Sequence, residues 1–249
     1  MTDPTTPPAP APGGVEVFAP AKLTVSLKVV GVRADGLHLI DAEMTSIDLG
    51  DTLTFGDGDD LTITGAAGGL PVTAGDDNLV RRALRAIGRT ASVHLHKRIP
   101  AGGGLGGGST DAAAVLRWAG IDDVDVAAGL GADVPFCLHG GRARVTGIGE
   151  EITPLTVITR IFTLAVPPFG CSTPAVYGAW DDLGGPTVDG PNDLEPAALR
   201  VEPRLAEWRD RIGDATGETP ILAGSGSTWF VPGAHPGPGR IVVATVDRH

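Results

Sequence analysis

Residues 100–110 constrain the fold more strongly than any other part of the sequence. This segment reads PAGGGLGGGST, so six of its eleven residues are glycine. Glycine loses more conformational freedom on folding than any other residue, so a loop with this many glycines is costly to order. Such loops are typical of places where another group must approach the bare backbone. Residues 91–96 alternate like a strand, and the alanine-rich run after the loop predicts a helix with Ser109, Thr110 or Asp111 as N-cap. Strand, glycine loop and helix start together predict a phosphate-binding site.

Three interpretations of this loop compete. It is not a Walker P-loop, because no Gly-Lys-Ser/Thr sequence closes it. Gly102, Gly104 and Gly107 match the Gly-x-Gly-x-x-Gly pattern of dinucleotide-binding folds. In those folds, however, the glycines follow the strand directly, whereas here residues 97–100 intervene. A flexible linker is the third interpretation, and Leu105 in the centre of the loop and the helix directly after it argue against a linker.

Composition places the chain among globular proteins and excludes several partners. With 249 residues, of which 42% are hydrophobic and 20% charged, the chain is long enough for one large or two small domains with their own cores. Its net charge of −11 argues against a nucleic-acid partner, because the phosphates would be repelled. No apolar run approaches the length of a membrane span, so no membrane partner is expected.

Two further features bear on location. Residues 1–14 are rich in Pro, Thr and Ala and lack both the basic and the apolar region of a signal peptide, which predicts a disordered tail. The two cysteines, Cys137 and Cys171, are far apart and lack the spacing of metal ligands. A reduced, cytoplasmic location is the simplest interpretation.

The residues from 15 to 30 alternate in a way that predicts two strands, interrupted at Pro20. In the second strand, apolar side chains alternate with polar ones, which include Lys22 and Thr24. Taken alone, this pattern favours a solvent-facing position for Lys22.

The histidines do not predict a metal site. His38 follows a predicted turn at residues 35–36, and a lone histidine beside a turn is more often structural than functional. His94 and His96 are two residues apart on a predicted strand and therefore share a face, but no third ligand stands near them in the sequence.

The rest of the chain mixes strands and helices without a repeating β–α order, which favours an α+β fold over a doubly wound sheet. Helices are predicted from residue 78, from residue 111, at 122–130, from residue 172 and at 194–212. Strands are predicted at 44–53, 61–64, 134–138, 142–148, 161–166 and 240–246, with a second strand–glycine turn–strand unit at 221–231.

These segments together resemble a known family. The stretch PAGGGLGGGSTDAA is similar to the phosphate loop of the GHMP kinase superfamily, which includes galactokinase, homoserine kinase, mevalonate kinase and phosphomevalonate kinase. Within it, the chain looks most similar to the family that phosphorylates 4-diphosphocytidyl-2-C-methyl-D-erythritol. The supporting segments, in order, are APAKLT (19–24), RADGLH (33–38), DNLVRRA (77–83), KRIP (97–100), LGADVPF (130–136), STP (172–174), NDLEP (192–196) and GSGST (224–228).

The resemblance implies both a fold and an activity. The fold would be the two-lobed α+β GHMP kinase fold, with a ribosomal protein S5 domain 2-like lobe over residues 15–152 and a ferredoxin-like lobe over residues 153–249. The activity would be ATP-dependent phosphorylation, with Mg²⁺, of the 2-hydroxyl of this cytidine diphosphate-linked alcohol in isoprenoid precursor synthesis. Alternatives are a related kinase of homoserine or a mevalonate-like alcohol, or a non-catalytic nucleotide-binding relative. A monomer or a homodimer is expected.

The resemblance also implies which residues bind ATP. The loop would wrap the phosphates with backbone N–H groups in place of the Walker lysine. Asn78 and Lys97 would lie towards the adenosine, and Ser109 or Thr110 would supply the hydroxyl nearest to Mg²⁺. The full implied set is Pro100, Gly102, Gly103, Gly104, Leu105, Gly106, Gly107, Gly108, Ser109, Thr110, Asn78 and Lys97.

Two residues are implied to be catalytic. Asp133 matches the family's catalytic aspartate, which accepts the proton of the attacking hydroxyl. Lys22 matches its lysine partner, which keeps that aspartate ionised and offsets negative charge as the phosphoryl group moves.

The cytidine end of the substrate is implied to lie against His38 and Tyr177, with Thr173 nearby. A packing residue of an ordinary helix is the other interpretation of Tyr177. The second glycine turn, with Gly224 and Ser225, would close on the phosphates from the other lobe.

Two positions near the implied substrate site depart from the family pattern. Thr24, also in the implied substrate set, stands where the family usually has asparagine, and Leu37 stands where it usually has tyrosine. Both changes bear on the substrate end rather than on the phosphate chemistry.

Overall fold

Two β-sheets organise the protein, which is described here over residues 14–65 and 71–247 of a computed structural model. The predicted tail, apart from residue 14, lies outside these residues. The strands are β1 (Val15–Val32), β2 (His38–Gly56), β3 (Leu61–Thr64), β4 (Ser92–His96), β5 (Arg142–Gly147), β6 (Glu151–Pro154), β7 (Ile161–Ala165), β8 (Ile221–Leu222), β9 (Trp229–Pro232) and β10 (Arg240–Ala244). The helices are α1 (Leu79–Ala86), α2 (Gly107–Trp118), α3 (Val124–Leu130), α4 (Val134–His139), α5 (Thr173–Asp182), α6 (Glu195–Val201) and α7 (Leu205–Thr216).

The first sheet has six strands, and β2 is its organising element. The order is β3-β4-β2-β5-β6, with β1 also paired to β2, whose 19 residues are enough to bond three neighbours. All of its pairs are antiparallel except β3 with β4. A dinucleotide-binding fold needs a parallel, doubly wound sheet, so that interpretation of the glycine loop is wrong.

Strand β1 runs without a break through Pro20, where the sequence predicts an interruption. Pro20 still pairs with Gly50, and the register then shifts before Lys22 pairs with Ser46. All of residues 19–24 are buried, so both faces of the strand are covered along this stretch. Lys22 is consequently buried, only 5% exposed, and the solvent-facing position that the pattern favours for it is wrong.

The second sheet has four antiparallel strands in the order β10-β7-β9-β8, with α5, α6 and α7 between β7 and β8 in the chain. This is the ferredoxin-like arrangement that the resemblance implies, except that residues 233–239 form a loop where that fold has its second helix. Strand β6 pairs with β5 and extends the first sheet to Pro154, two residues past the predicted lobe boundary. The division of the chain into lobes at 152/153 stays a prediction.

Two predicted elements differ from the structure. Residues 134–138, predicted as a strand, belong to helix α4, because Pro135 lies in the first helical turn, where its missing N–H is harmless, and Gly140 ends the helix. So short an apolar run cannot distinguish a strand from a helix by pattern alone. The helical pattern at 194–212 is divided into α6 and α7, with Pro203 between them.

The glycine loop is anchored where the two sheets meet. Leu105, 1% exposed, packs in a core cluster with Leu23 and Ile99 from the side of the first sheet and with Leu164 and Phe230 of the second. Burying one leucine side chain contributes about 1.5–3 kcal/mol. The loop is therefore a fixed part of the core, and the flexible-linker interpretation is wrong.

Candidate active site

The glycine loop lies between β4 and α2, but the helix begins earlier than the sequence predicts. Its N-cap is Gly106, with a left-handed φ of 69°, and no side chain hydrogen-bonds to its first N–H groups. Ser109, Thr110 and Asp111, predicted as N-caps, lie within the first turns, because only glycine adopts this backbone easily. The bare N-terminus of a 12-residue helix is thus left to attract an anion.

A cleft of about 280 Å³ opens over this loop. Its size is close to the lower end of the range for small-molecule sites, roughly 300–1,000 Å³. The lining residues are Pro71, Val72, Thr73, Asp77, Asn78, Leu79, Lys97, residues 100–108 and Asp111. Asn78 is therefore at the cleft, where the sequence places the adenosine, and it also caps α1, its Oδ1 accepting from Val80 N at 2.9 Å.

Two glycine turns from different sheets pack backbone against backbone beneath the cleft. Thr228 N donates to Gly103 O at 3.2 Å, and Cys171 N donates to Gly102 O at 3.2 Å. A Cβ on Gly104 would lie against Ala223 O. The glycine loop and the second glycine turn thus pack directly against each other, and Gly104 leaves no room for a side chain of its own at their contact.

We expect Gly104→Ala to destabilise the protein by about 2–3 kcal/mol and to abolish ATP binding. Gly104 has a φ of 76°, and the new Cβ would also lie 2.8 Å from Gly226 O, a backbone atom that cannot move aside. Chemical denaturation and nucleotide titration by calorimetry measure the two effects. Gly129→Ala is the control, because Gly129 lies in helix α3 with open space around it and alanine favours a helix. Wild-type ATP affinity in Gly104→Ala would contradict the expectation.

The two implied catalytic residues lie together beside the loop. Lys22 Nζ is 3.3 Å from Asp133 Oδ2 and donates to Thr24 Oγ1 at 3.0 Å. Lys22 N donates to Leu105 O at 3.0 Å, and a Cβ on Gly106 would lie 2.7 Å from Lys22 Cγ, so the lysine stem packs directly on the glycine loop.

Asp133 stands at the N-cap position of α4 but does not cap that helix. Its carboxylate reaches Lys22 instead and keeps 34% of its side chain exposed. A paired carboxylate with an open side is suited to accept a proton from a bound hydroxyl.

The implied cytidine residues also cluster. The ring centroids of His38 and Tyr177 are 4.7 Å apart, and Trp180 lies edge-on to His38 at 5.5 Å. Burial and then the negative charge of Asp133 raise the pKa of Tyr177 above its usual value. The charge of Asp133 therefore reaches Tyr177, which joins the ring cluster to the Lys22–Asp133 pair.

The second glycine turn approaches the same pair. A Cβ on Gly224 would lie 3.6 Å from Lys22 Nζ and 3.5 Å from Thr24 Oγ1. Thr173 Oγ1 and Ser225 Oγ share a hydrogen bond of 2.8 Å, which links the start of α5 to this turn. The six implied substrate residues thus form two groups. One group lies around Lys22 and consists of Thr24, Gly224, Ser225 and Thr173. The other is the ring cluster of His38 and Tyr177.

Lys97 is fixed beneath the loop. Its ammonium donates to Asp51 and, at 2.7 Å, to Asp111, and the residue is buried. Asp51 also accepts from Arg98 N at 2.6 Å and Ile99 N at 2.8 Å. Although Lys97 borders the cleft, its charge is already neutralised, and it holds the start of the loop to β2 and α2.

We expect the stability of the protein to fall as the pH rises from about 4 to about 7. Burial, and the charge of Asp51 beside it, raise the pKa of Asp111 to about 7 against the opposing effect of Lys97. The folded state therefore holds a proton that the unfolded state has already released in this window. Urea unfolding across pH should show this slope in the wild type and not in Asp111→Asn. Asp122→Asn, an exposed change, should keep it, and an identical slope in Asp111→Asn would contradict the assignment.

Sequence reasoning missed the residues that hold the second turn. Asn192 donates to Leu222 O at 2.8 Å and to Gly224 O at 2.7 Å, while buried Asp193 accepts from Lys28 Nζ at 2.9 Å. Both lie in the NDLEP segment (192–196), which supports the family resemblance, but the resemblance assigns no role to either residue. A buried asparagine beside a glycine turn is the signal that could have found them.

The remaining histidine, hydroxyl and cysteine side chains differ in their surroundings. His94 bonds Thr62 and Thr64, and no group of three His, Cys, Asp or Glu residues in the described ranges could hold a metal ion. Thr110 is fully buried, which leaves Ser109 as the more accessible hydroxyl. Both cysteines are free and buried.

Among the described residues, none of the helices has the length and apolar character needed for a membrane crossing.

Comparison with known proteins agrees with this geometry. The family described as GHMP kinases N terminal domain matches residues 78–141, from the cap of α1 to the end of α4. A 4-diphosphocytidyl-2-C-methyl-D-erythritol kinase of Paracoccus denitrificans is 39% identical over 233 residues, covering 85% of this chain and 84% of the relative. The kinase of the same name from Salinispora tropica is 37% identical over 265 residues, covering 89% and 84%.

Solved structures give the same result for the fold. A crystal structure of 4-(cytidine 5'-diphospho)-2C-methyl-D-erythritol kinase is 31% identical, with a TM-score of 0.76 over 93% of this chain and 99% of the other. Homoserine kinase from Cytophaga hutchinsonii is 18% identical, with a TM-score of 0.56 over 94% and 95%, and shares the fold alone. The chain therefore belongs to the 4-diphosphocytidyl-2-C-methyl-D-erythritol kinase family of the GHMP kinases.

Proposed function

We propose that this protein transfers the γ-phosphoryl group of ATP to the 2-hydroxyl of 4-diphosphocytidyl-2-C-methyl-D-erythritol, a step of the non-mevalonate route to isoprenoid precursors. The observation that carries the proposal is the ion pair of Lys22 with Asp133, 3.3 Å long, beside an uncapped glycine loop. Relatives of that name are 35–40% identical over most of the chain, which supports this substrate over homoserine or mevalonate.

The residues of the loop fit a triphosphate. The first N–H groups of α2 are uncapped, and the positive end of the helix dipole lies at the same place. The cleft over the loop reaches Asn78, on the side proposed for the adenosine. The protein thus supplies backbone donors where a Walker loop would add a lysine.

The residues also fit Mg²⁺ held mainly by ATP. Ser109, half-buried in the first turn of α2, is the hydroxyl that would complete its ligands, and the described residues contain no carboxylate cluster that would bind it alone. When bound, Mg²⁺ supplies charge neutralisation between the β- and γ-phosphates.

Asp133 and Lys22 divide the chemistry between them. Asp133 accepts the proton of the substrate hydroxyl as its oxygen attacks phosphorus. Lys22 holds that carboxylate in place through the ion pair and faces the charge that develops as the phosphoryl group moves. Thr24 Oγ1 fixes the ammonium in place, which is the role we propose for it where the family usually has asparagine.

At the other end, Tyr177 supplies the ring on which we propose that the cytosine stacks, with the edge of His38 beside the base. Leu37, next to His38, is 43% exposed. We propose that its apolar side chain covers the other face of the base, in place of the aromatic ring usual in the family.

A panel of alcohols tests the proposal. Purified protein with ATP and Mg²⁺ is given the cytidine diphosphate-linked erythritol, homoserine or mevalonate, and the products are read by mass spectrometry. We expect one phosphoryl group to be added to the first compound only. Transfer to another alcohol would replace the substrate, and no transfer to any would favour a non-catalytic nucleotide-binding protein. A cytoplasmic location and a monomeric or homodimeric state stay predictions.

A further inference from the structure

His38 is surrounded by side chains from one face of helix α5. Tyr177, Trp180 and Asp181 stand three and four residues apart, so all three point to the same side of the helix. Two of them cover the ring of His38, and Asp181 Oδ1 lies 2.8 Å from His38 Nε2. His38, at the start of β2 in the first sheet, is thus held by helix α5, which follows strand β7 of the second sheet.

The carboxylate of Asp181 decides which ring nitrogen of His38 carries the proton. An ionised carboxylate only accepts hydrogen bonds, so Nε2 must be the donor. In the neutral ring, Nδ1 is then a bare acceptor. Within the described ranges, no hydrogen bond reaches Nδ1, since the Asp181 contact is the one hydrogen bond that the His38 ring makes there.

The His38–Asp181 pair fixes the orientation of the histidine ring and adds little to the stability of the fold. The side chain of Asp181 is 51% exposed, and ion pairs at so wet a position add little to the stability of a fold. The ring of His38, by contrast, is largely covered, so its orientation and its proton are fixed by few contacts. A change at Asp181 should therefore alter what Nδ1 presents to a ligand without unfolding the protein.

Resting on the proposed function, we propose that Asp181 is a positioning residue that makes the ring cluster around His38 select a pyrimidine with an exocyclic amino group. With its proton held on Nε2, His38 offers Nδ1 as an acceptor to that amino group. Cytosine carries a donor there, whereas uracil carries a carbonyl oxygen, which would leave two acceptors facing each other. A site built to accept a hydrogen bond discriminates against a ligand that cannot donate one.

The test is the ratio of affinities for CDP and UDP, measured by calorimetry with the ATP site saturated by a non-hydrolysable ATP analogue. The two probes carry the same phosphate charge, so the ratio is insensitive to the charge of the variant. The wild type should prefer CDP. Asp181→Ala should reduce the preference about fivefold, the value of one hydrogen bond between neutral groups. Asp181→Asn should keep most of it, because its amide oxygen still accepts from Nε2.

A stronger variant and a control complete the design. Asp181→Lys offers a donor to Nε2, which moves the proton to Nδ1, and it should reduce the preference further than alanine does. Asp182→Ala removes the adjacent, exposed carboxylate and should leave the ratio unchanged. The inference is overturned if Asp181→Ala and Asp181→Lys both keep the wild-type ratio, or if the wild type does not prefer CDP. The alcohol panel decides the proposed function separately.

Discussion

Replacing Asp133 with alanine should lower kcat by about 10²–10⁴-fold, the usual loss when a general base is removed. The thermal unfolding temperature should hardly change, because the carboxylate caps no helix and 34% of its side chain is exposed. An assay that couples ADP release to NADH oxidation measures kcat, and differential scanning fluorimetry checks the fold.

Two further variants test whether the loss of kcat is specific to the carboxylate of Asp133. Asp133→Asn keeps the size of the side chain and removes its basicity, so it should lose a similar factor. Asp122→Ala, an exposed change one short helix away, should retain wild-type turnover. A near-normal kcat in Asp133→Ala would remove the proton-accepting role from this residue.

Lys22→Met should cause a loss of comparable size, about 10²–10⁴-fold, and mostly in kcat. Methionine keeps the apolar stem that packs on Gly106 and removes the ammonium that faces Asp133. A charge that stabilises the moving phosphoryl group more than the bound substrate acts on kcat rather than on KM. Steady-state kinetics with varied ATP and varied alcohol separate the two constants. Lys22→Ala should lose at least as much.

Lys28→Met is the matched control for Lys22. Lys28 lies on the same strand but bonds Asp193 and the carbonyl of Val188, with no contact to Asp133. Its loss leaves the buried carboxylate of Asp193 with backbone donors alone, so it should lower stability while kcat stays close to that of the wild type. Equal turnover in Lys22→Met and Lys28→Met would show that the buried ammonium does not serve the reaction.

The glycine loop between a strand and a helix was predictable because its signal is local. Six glycines between a strand and a helix indicate an anion site without knowledge of any distant residue. The first residue of the helix was not predictable. Ser109, Thr110 and Asp111 are all good N-cap residues, but Gly106 takes the N-cap position because its backbone is left-handed.

The environment of charged residues could not be read from the sequence, because it depends on distant partners. Lys97 is neutralised by Asp51, 46 residues away, and Lys22 is buried because the glycine loop and Asp133 cover its face of β1. For Lys22 and Asp133, only the resemblance to a family pointed to a pairing, since strand alternation alone places the lysine in solvent.

The backbone contact between the two glycine turns has a consequence for how the protein is made. Gly103 receives its hydrogen bond from Thr228, so the floor of the cleft is incomplete until residue 228 has left the ribosome. A nascent chain that stops after the first sheet would carry the phosphate-binding sequence without the means to grip a nucleotide. Unfinished copies would therefore not sequester ATP in the cell.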